Sequence, residues 1–338
     1  MEKISESMAW LARPDGNVVI GHGPFTATAE APREMTAFYI RSFGPGTSQP
    51  WLIPTRTEQT TLAEFASRFE DRLPPHCEWH PLDAGPFSTV FQEVTAAIRS
   101  GLFEKTVPVV AETGFGPPDV GLSLVGAMTR QSSRLRSYGF FDGNRGFCGA
   151  TPELLFSLSG SNLDTMALAG TAKREDREVF AVDEKEIREH EYVAQTLVSK
   201  LQALGDPIRR SREILDLGSI VHFLSLINVE LEHQRTPADL IDLLHPTPAL
   251  GPLPRTKETL SLLLGWRERL NCPDEFGAPF GVWENERFDA VVAIRGVWWD
   301  ANQITLPAGC GVIEASRLVN EWRELRLKRE AVKRLISP

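Results

Sequence analysis

At 338 residues, with 42% hydrophobic and 24% charged side chains, the chain has an ordinary globular balance that excludes extended disorder. Thirty-six Lys and Arg stand against 45 Asp and Glu, a formal charge of −9, which excludes the broad basic field that nucleic acid or an anionic membrane would need. Any anionic ligand must therefore be held by a few well-placed cations.

The opening "MEKISESMAWLARPDG" has no apolar core of the leader type, and no run reaches the roughly 18 apolar residues of a membrane helix. Cys77, Cys148, Cys272 and Cys310 lie far apart with no C-x-x-C, which reads as reduced thiols with neither disulfides nor zinc. A cytoplasmic protein is expected. Residues 1–85 are rich in Pro and Gly, with short apolar runs ("GNVVIGHG", "MTAFYI", "PWLIP") that read as short strands and turns. Phe87, Val90, Phe91, Val94 and Ile98 recur at helical intervals, predicting a helix over 87–100 that stops at Gly101. Strands are expected at about 106–111, 135–142, 146–150, 153–159 and 163–170, and helices at 183–204, 210–217, 236–244, 256–270 and 316–336. Between the last two helices, "APFGVWE", "DAVVAIRGVWW" and "QITLPAG" read as strands. Strands come in runs and helices in runs, which favours an α+β fold with mainly antiparallel sheets, in one domain. No P-loop, no G-x-S-x-G and no complete G-x-G-x-x-G is present.

The stretch "EKEIREHEYVAQTLVSKL" holds an anomaly. At helical spacing Glu186, Glu189 and His190 share a stripe with Val193, Leu197 and Leu201, the face that an amphipathic helix buries. The pair also fits a solvated first turn, where acids suit the helix dipole. Two inward carboxylates one turn apart would instead be hard ligands of the kind Mg²⁺ prefers. A di-iron site needs Glu-x-x-His on two helices, and no second copy exists. In "NEWRELRLKREAVKRLI" the anomaly repeats: Glu321 shares a stripe with Leu325, Lys328 and Val332, and Glu324 lies beside it. An exposed Glu324–Lys328 ion pair is the plainer account of that segment taken alone. Arg295 lies among apolar neighbours in "DAVVAIRGVWW". It either snorkels from an edge strand or clamps a carboxylate, since a buried guanidinium is costly unless paired. "PAGCGV" downstream offers backbone N–H groups and small residues where an anion can approach.

Six segments now line up. "GATPELLFSL", "TMALAGTAKR", "EIREHEYV", "LLHPTPALG" with "PLPR" after it, "AVVAIRG" and "AGCGVIEASRLVNEWRELRLK" resemble, in order and spacing, the chorismate-utilising enzymes. These are isochorismate, anthranilate, aminodeoxychorismate and salicylate synthases. The resemblance covers about residues 87–336, with 1–86 as a divergent part of the same domain, 1–338. "HPTPAL" looks like the isochorismate synthase version. The resemblance implies one large α+β domain of two stacked, mainly antiparallel sheets with helices packed outside, a Mg²⁺ cofactor and chorismate as substrate.

By the same resemblance, Glu189 and Glu324 would bind Mg²⁺ directly, and Glu186 and Glu321 would support it through water. Arg295 and Lys328 would hold the substrate carboxylates, with Gly170, Thr171 and Gly309 lining the pocket and Ala249, Leu250 and His222 near the ring. Taken alone, His222 reads equally as a core histidine satisfied by a backbone carbonyl. Lys105 resembles the general base of the hydroxylating enzymes; desolvation lowers the pKa of a buried lysine, as a base requires, although a solvent-exposed turn is the plainer reading. Glu153 would be the general acid. Ala169 stands where aminodeoxychorismate synthases carry a nucleophilic lysine, so no covalent intermediate is available and water is the expected nucleophile. No glutamine amidotransferase partner is expected, and a monomer is. The implied reaction is chorismate to isochorismate, for menaquinone or siderophore synthesis. Salicylate synthesis with loss of pyruvate, and a subunit that binds chorismate without turning it over, remain alternatives. Three departures stand out: Val110 replaces the family's Arg, Pro108 falls in the expected strand, and "GAPFGVW" replaces "AGPVGW".

Overall fold

The computed structural model describes residues 6–32, 34–130 and 135–337. Strands β1 (Ser7–Ala12), β2 (Asn17–Thr28), β3 (Ala37–Ile40) and β4 (Trp51–Thr61) lead into helix α1 (Leu62–Ser67). Then come β5 (Glu78–Trp79), α2 (Ala84–Arg99), β6 (Val109–Phe115), α3 (Val120–Thr129) and the strands β7 (Arg136–Asp142), β8 (Arg145–Thr151), β9 (Leu154–Ser159) and β10 (Asn162–Lys173). Helices α4 (Arg177–Phe180) and α5 (Glu184–Leu201) precede β11 (Ile208–Arg209), β12 (Glu213–Asp216) and β13 (Ile220–Glu230). Helices α6 (Pro237–Leu244) and α7 (Lys257–Arg269), strands β14 (Pro279–Glu284), β15 (Arg287–Val292), β16 (Gly296–Asp300) and β17 (Gln303–Gly309), and helix α8 (Leu318–Ile336) complete the chain.

Every ladder between these strands is antiparallel, as expected. Shared ladders run β5-β6-β17-β16-β8-β7-β1-β2-β4-β3-β14-β15-β9-β10-β13, with β11 and β12 both on the outer edge of β13. The resemblance implies two stacked sheets; the hydrogen bonds run unbroken through one large curled sheet. The long β2–β4 ribbon carries the path round, through a register shift between His22 and Phe25 that accentuates its bend. Curling brings distant strands face to face: Tyr138 of β7 and Phe147 of β8 pack on Phe280 of β14 with ring centroids 5.5 and 5.9 Å apart. The main core fills this fold and takes the Phe87, Val90, Phe91, Val94 and Ile98 face of α2. A second core packs α3 against Val332 and Ile336 of α8.

The periodic helices form where the pattern places them. Asp83 caps α2 by accepting from the Gly85 N–H, and Asp183 caps α5 by accepting from the Glu186 N–H, which fixes the first turn of the acidic segment. Val193, Ala194, Leu197 and Leu201 of α5 are fully buried, worth about 1.5–3 kcal/mol for each large aliphatic side chain.

Some segments depart from expectation. Residues 210–217 form no helix; β12 pairs there with β13, Leu215 opposite His222, because the open edge of β13 offers backbone partners that "REILDL" accepts as readily as a helix. Helix α1 falls in the segment read as strands and turns, held by a capping box between Thr61 and Glu64. Helix α3, "VGLSLVGAMT", is apolar almost all round and mostly buried, so it shows no amphipathic period. The strand expected through Arg295 breaks into β15 and β16, with Arg295 at φ +55° between them. Pro108 interrupts nothing, because β6 begins one residue later, at Val109.

Candidate active site

Helices α5 and α8 point their N-terminal acids at one another. Glu189, Glu321 and Glu324 are all buried, so the acids do lie on the inward face. Between them stands a residue that the sequence reading passed over. The Lys185 ammonium lies 2.9 Å from Glu186, 3.2 Å from Glu189, 3.4 Å from Glu321 and 4.0 Å from Glu324. Its only sequence signal was the i,i+4 spacing to Glu189, since position 185 falls off the acidic stripe.

Crowded carboxylates without enough cations titrate apart. Burial, and then repulsion from Glu324, raises Glu321 to about 8. Burial raises Glu186 to about 7 against the pull of Lys185. Burial also works to raise Glu189, but Lys105, Lys185 and Lys328 overcome it and hold that carboxyl at about 2. One acid is thus firmly ionised while two share protons near neutrality.

Lys105 is completely buried, not at an exposed turn. Its ammonium donates to the Pro248 carbonyl at 2.5 Å, inside "HPTPAL", and lies 3.3 Å from Glu189. Backbone bonds to Leu253 tie the two segments together, with the Leu253 N–H donating to the Lys105 carbonyl at 2.8 Å. Gly311 is required here: a Cβ would stand 2.0 Å from Glu189 Oε1 and 2.9 Å from Lys105 Cε.

Arg295 is fixed by a neutral histidine. His222 donates from Nδ1 to the Gly170 carbonyl at 2.7 Å, which leaves Nε2 to accept from Arg295 Nη2 at 2.8 Å. Burial first, then Arg295 and Lys328, keep His222 well below the usual imidazole range, in agreement with that tautomer. The core-histidine reading is half right: the carbonyl is there, and the other nitrogen faces the guanidinium. Gly170 sits at φ +76° where β10 shifts register, and the next N–H, that of Thr171, donates to Glu186 Oε2 at 2.8 Å. Burial brings Arg295 down to about 10, still cationic at neutral pH. Lys328 bonds the Gly309 carbonyl at 2.8 Å and Glu324 at 2.6 Å. The helical ion pair therefore exists, but in a buried wall instead of on the surface.

One cavity collects Glu153, Gly170, Thr171, Glu189, His222, Ala249, Leu250, Arg295, Gly309 and Lys328. Lys105, Glu186, Glu321 and Glu324 are not part of that lining and join it through the contacts above. Burial raises Glu153 to about 7 despite the opposing pull of Lys105, Lys328 and Arg295. Ala169, Phe276 and Ile294 add apolar wall. Val110 pairs with Ala308 in the main core and does not line the cavity.

Among the described residues no three acids already close on a common metal position; they turn toward Lys185. The donor set still fits a hard divalent cation. It is all carboxylate oxygen, it carries more negative charge than Lys185 neutralises, and Glu321 Oε2 is buried with no hydrogen-bond partner.

A curled antiparallel sheet with this cavity at its edge helices defines a class, and the chain belongs to it: residues 54–337 match the chorismate binding enzyme family. Over 193 residues the chain is 31% identical to the isochorismate synthase EntC of Escherichia coli K12, covering 53% of this chain and 48% of that protein. Over 268 residues it is 27% identical to the isochorismate synthase MenF of Bacillus subtilis, covering 73% of this chain and 54% of that one. The chain spans about half the length of these curated relatives. In structure it superposes on the menaquinone-specific isochorismate synthase MenF of E. coli with a TM-score of 0.81 at 19% identity, covering 99% of this chain and 90% of that one. No helix among the described residues is long and apolar enough to cross a membrane.

Proposed function

We propose that this chain is a Mg²⁺-dependent isochorismate synthase, which adds water at C2 of chorismate and expels the C4 hydroxyl as the ring double bonds shift. The observation that carries this reading is a single cavity in which a carboxyl poised near neutrality, Glu153, faces two half-buried cations, Arg295 and Lys328. The cations form the clamp for a dicarboxylate, Arg295 through its planar fork and Lys328 as a point charge. Lys105 removes a proton from water, and Glu153 gives its proton to the departing hydroxyl. Gly170, Thr171, His222 and Gly309 shape the polar wall, and Ala249 and Leu250 pack against the ring.

Glu189 and Glu324 would hold Mg²⁺ directly, with Glu186 and Glu321 supporting it through water. When bound, the metal would supply positive charge against a substrate carboxylate. Ala169 in the cavity wall offers no nucleophile, which supports water over an amine route, and the relatives named above are isochorismate synthases.

In this reading one domain does the work, because the strand path runs unbroken between Ser7 and Gly309. It acts as a cytoplasmic monomer without an amidotransferase, and its product serves menaquinone or siderophore synthesis. The test is NMR of the products after incubation with chorismate and Mg²⁺, without ammonia or glutamine. Isochorismate alone is expected. Released pyruvate would make the chain a salicylate synthase, and unchanged chorismate would make it a binding subunit.

A further inference from the structure

Lys185 has no role in the mechanism above, yet it makes the densest set of charge contacts in the site. Glu186, Glu189, Glu321 and Glu324 come from two helices, and the Lys185 ammonium lies within 4.0 Å of each. By contrast, the ion pairs of Lys105 and Lys328 in this cluster reach one acid each, Glu189 and Glu324. Glu189, Glu321 and Glu324 are buried and Glu186 is half-buried, so with no cation among them these carboxyls could not all stay ionised. Glu321 Oε2 remains buried and unpartnered even so, which means that one ammonium does not satisfy the cluster.

We propose that Lys185 is a resident counter-ion, which fills the cation position in the metal-free chain and swings outward when Mg²⁺ takes its place. The inference rests on the reading that Mg²⁺ binds these acids. Two positive centres cannot share the same few ångströms without a large repulsion. Lys185 can leave: its side chain keeps 19% exposure, against 0% for Lys105, and it hangs from the first turn of α5 on a flexible four-carbon stem. The metal must therefore outcompete an internal ammonium, and Lys185 sets how much Mg²⁺ the chain needs.

The test compares wild type with Lys185→Met by calorimetric Mg²⁺ titration without substrate and by thermal unfolding in chelator. Lys185→Met is expected to bind Mg²⁺ about tenfold more tightly or better, since one competing charge within about 4 Å is gone. Its metal-free melting temperature should fall, and Mg²⁺ should raise it by more than in wild type. Adding Glu321→Gln to Lys185→Met should restore part of the metal-free stability, because the loss is one of charge and not of packing. Unchanged or weaker Mg²⁺ binding in Lys185→Met would overturn the proposal, as it would mean that the lysine stays beside the metal. So would failure of both variants to fold with and without Mg²⁺. If wild type itself takes up no Mg²⁺, the metal reading falls, and this inference with it; if wild type binds and Lys185→Met is no tighter, only the inference falls.

Discussion

Two of the charge clusters buried among the described residues behave differently. In one, Arg13 bonds Glu284 and Asp289, both at 2.9 Å, and Arg287 adds a second guanidinium to Asp289, so two cations meet two acids. In the other, four acids of α5 and α8 surround a single Lys185, with Lys105 and Lys328 at the edges. The first cluster is balanced and ties β14 and β15 to the turn after β1. The second sets three lysines against four acids, and burial drives two of its carboxyls to about 7 and 8. Burial of charge therefore does not distinguish a site from a strut; the imbalance does, because an unbalanced cluster has free energy to gain from a cation that is not part of the chain.

The comparison breaks most sharply at the proposed base. Lys105→Ala is expected to lower conversion of chorismate by about 10²–10⁴-fold while leaving equilibrium binding of chorismate nearly unchanged, read by NMR product analysis and by ligand titration. Unchanged turnover would remove Lys105 from the chemistry. Glu153→Gln should cost about 10²-fold or more in kcat. In wild type the rate carried by this acid should decline as pH rises through about 7, where Glu153 loses its proton. A pH profile flat across that range would contradict its role.

The next effect is on stability. Arg13→Met strips the balanced cluster of a partner and should cost about 3–5 kcal/mol, read by denaturant unfolding, with no change in Mg²⁺ affinity. Glu324→Ala should do the reverse, weakening Mg²⁺ and chorismate together with little loss of fold, as linked calorimetric titrations would reveal. The unbalanced cluster also gives the metal-free chain a pH signature. Glu186 and Glu321 titrate above the ordinary carboxylate value, so their contribution is fully present below about pH 4.5 and is lost as pH rises through about 7 and 8. Metal-free stability should fall across that window, and Mg²⁺ should suppress the fall. At the small end, breaking the exposed Lys173–Glu175 pair with Lys173→Ala should move stability by no more than about 0.5 kcal/mol.

Legibility followed locality. The periods of α2 and α5 were readable because one amphipathic face decides such a helix, and the inward acids stood out because they violate that period. Helix α3 carried no such contrast, and β12 owes its state to the edge of β13, which no local window contains. At the site, the acidic pairs and Arg295 were visible as costly residues in apolar settings. The bond from Arg295 to the second nitrogen of His222 was not, because it joins side chains 73 residues apart.

The sequence by itself determined which residue types could bind a dianion and a hard cation, and that both acidic pairs fall on or beside an apolar helical stripe, since helical period is a property of neighbours along the chain. Only the tertiary structure decided that Lys105 is buried against Pro248, that Arg295 turns at a break between strands, and that Lys185 stands among four acids. Those outcomes depend on charges meeting across helices and strands far apart in sequence. Their energies are set by distance and burial, quantities that exist only once the sheet has curled.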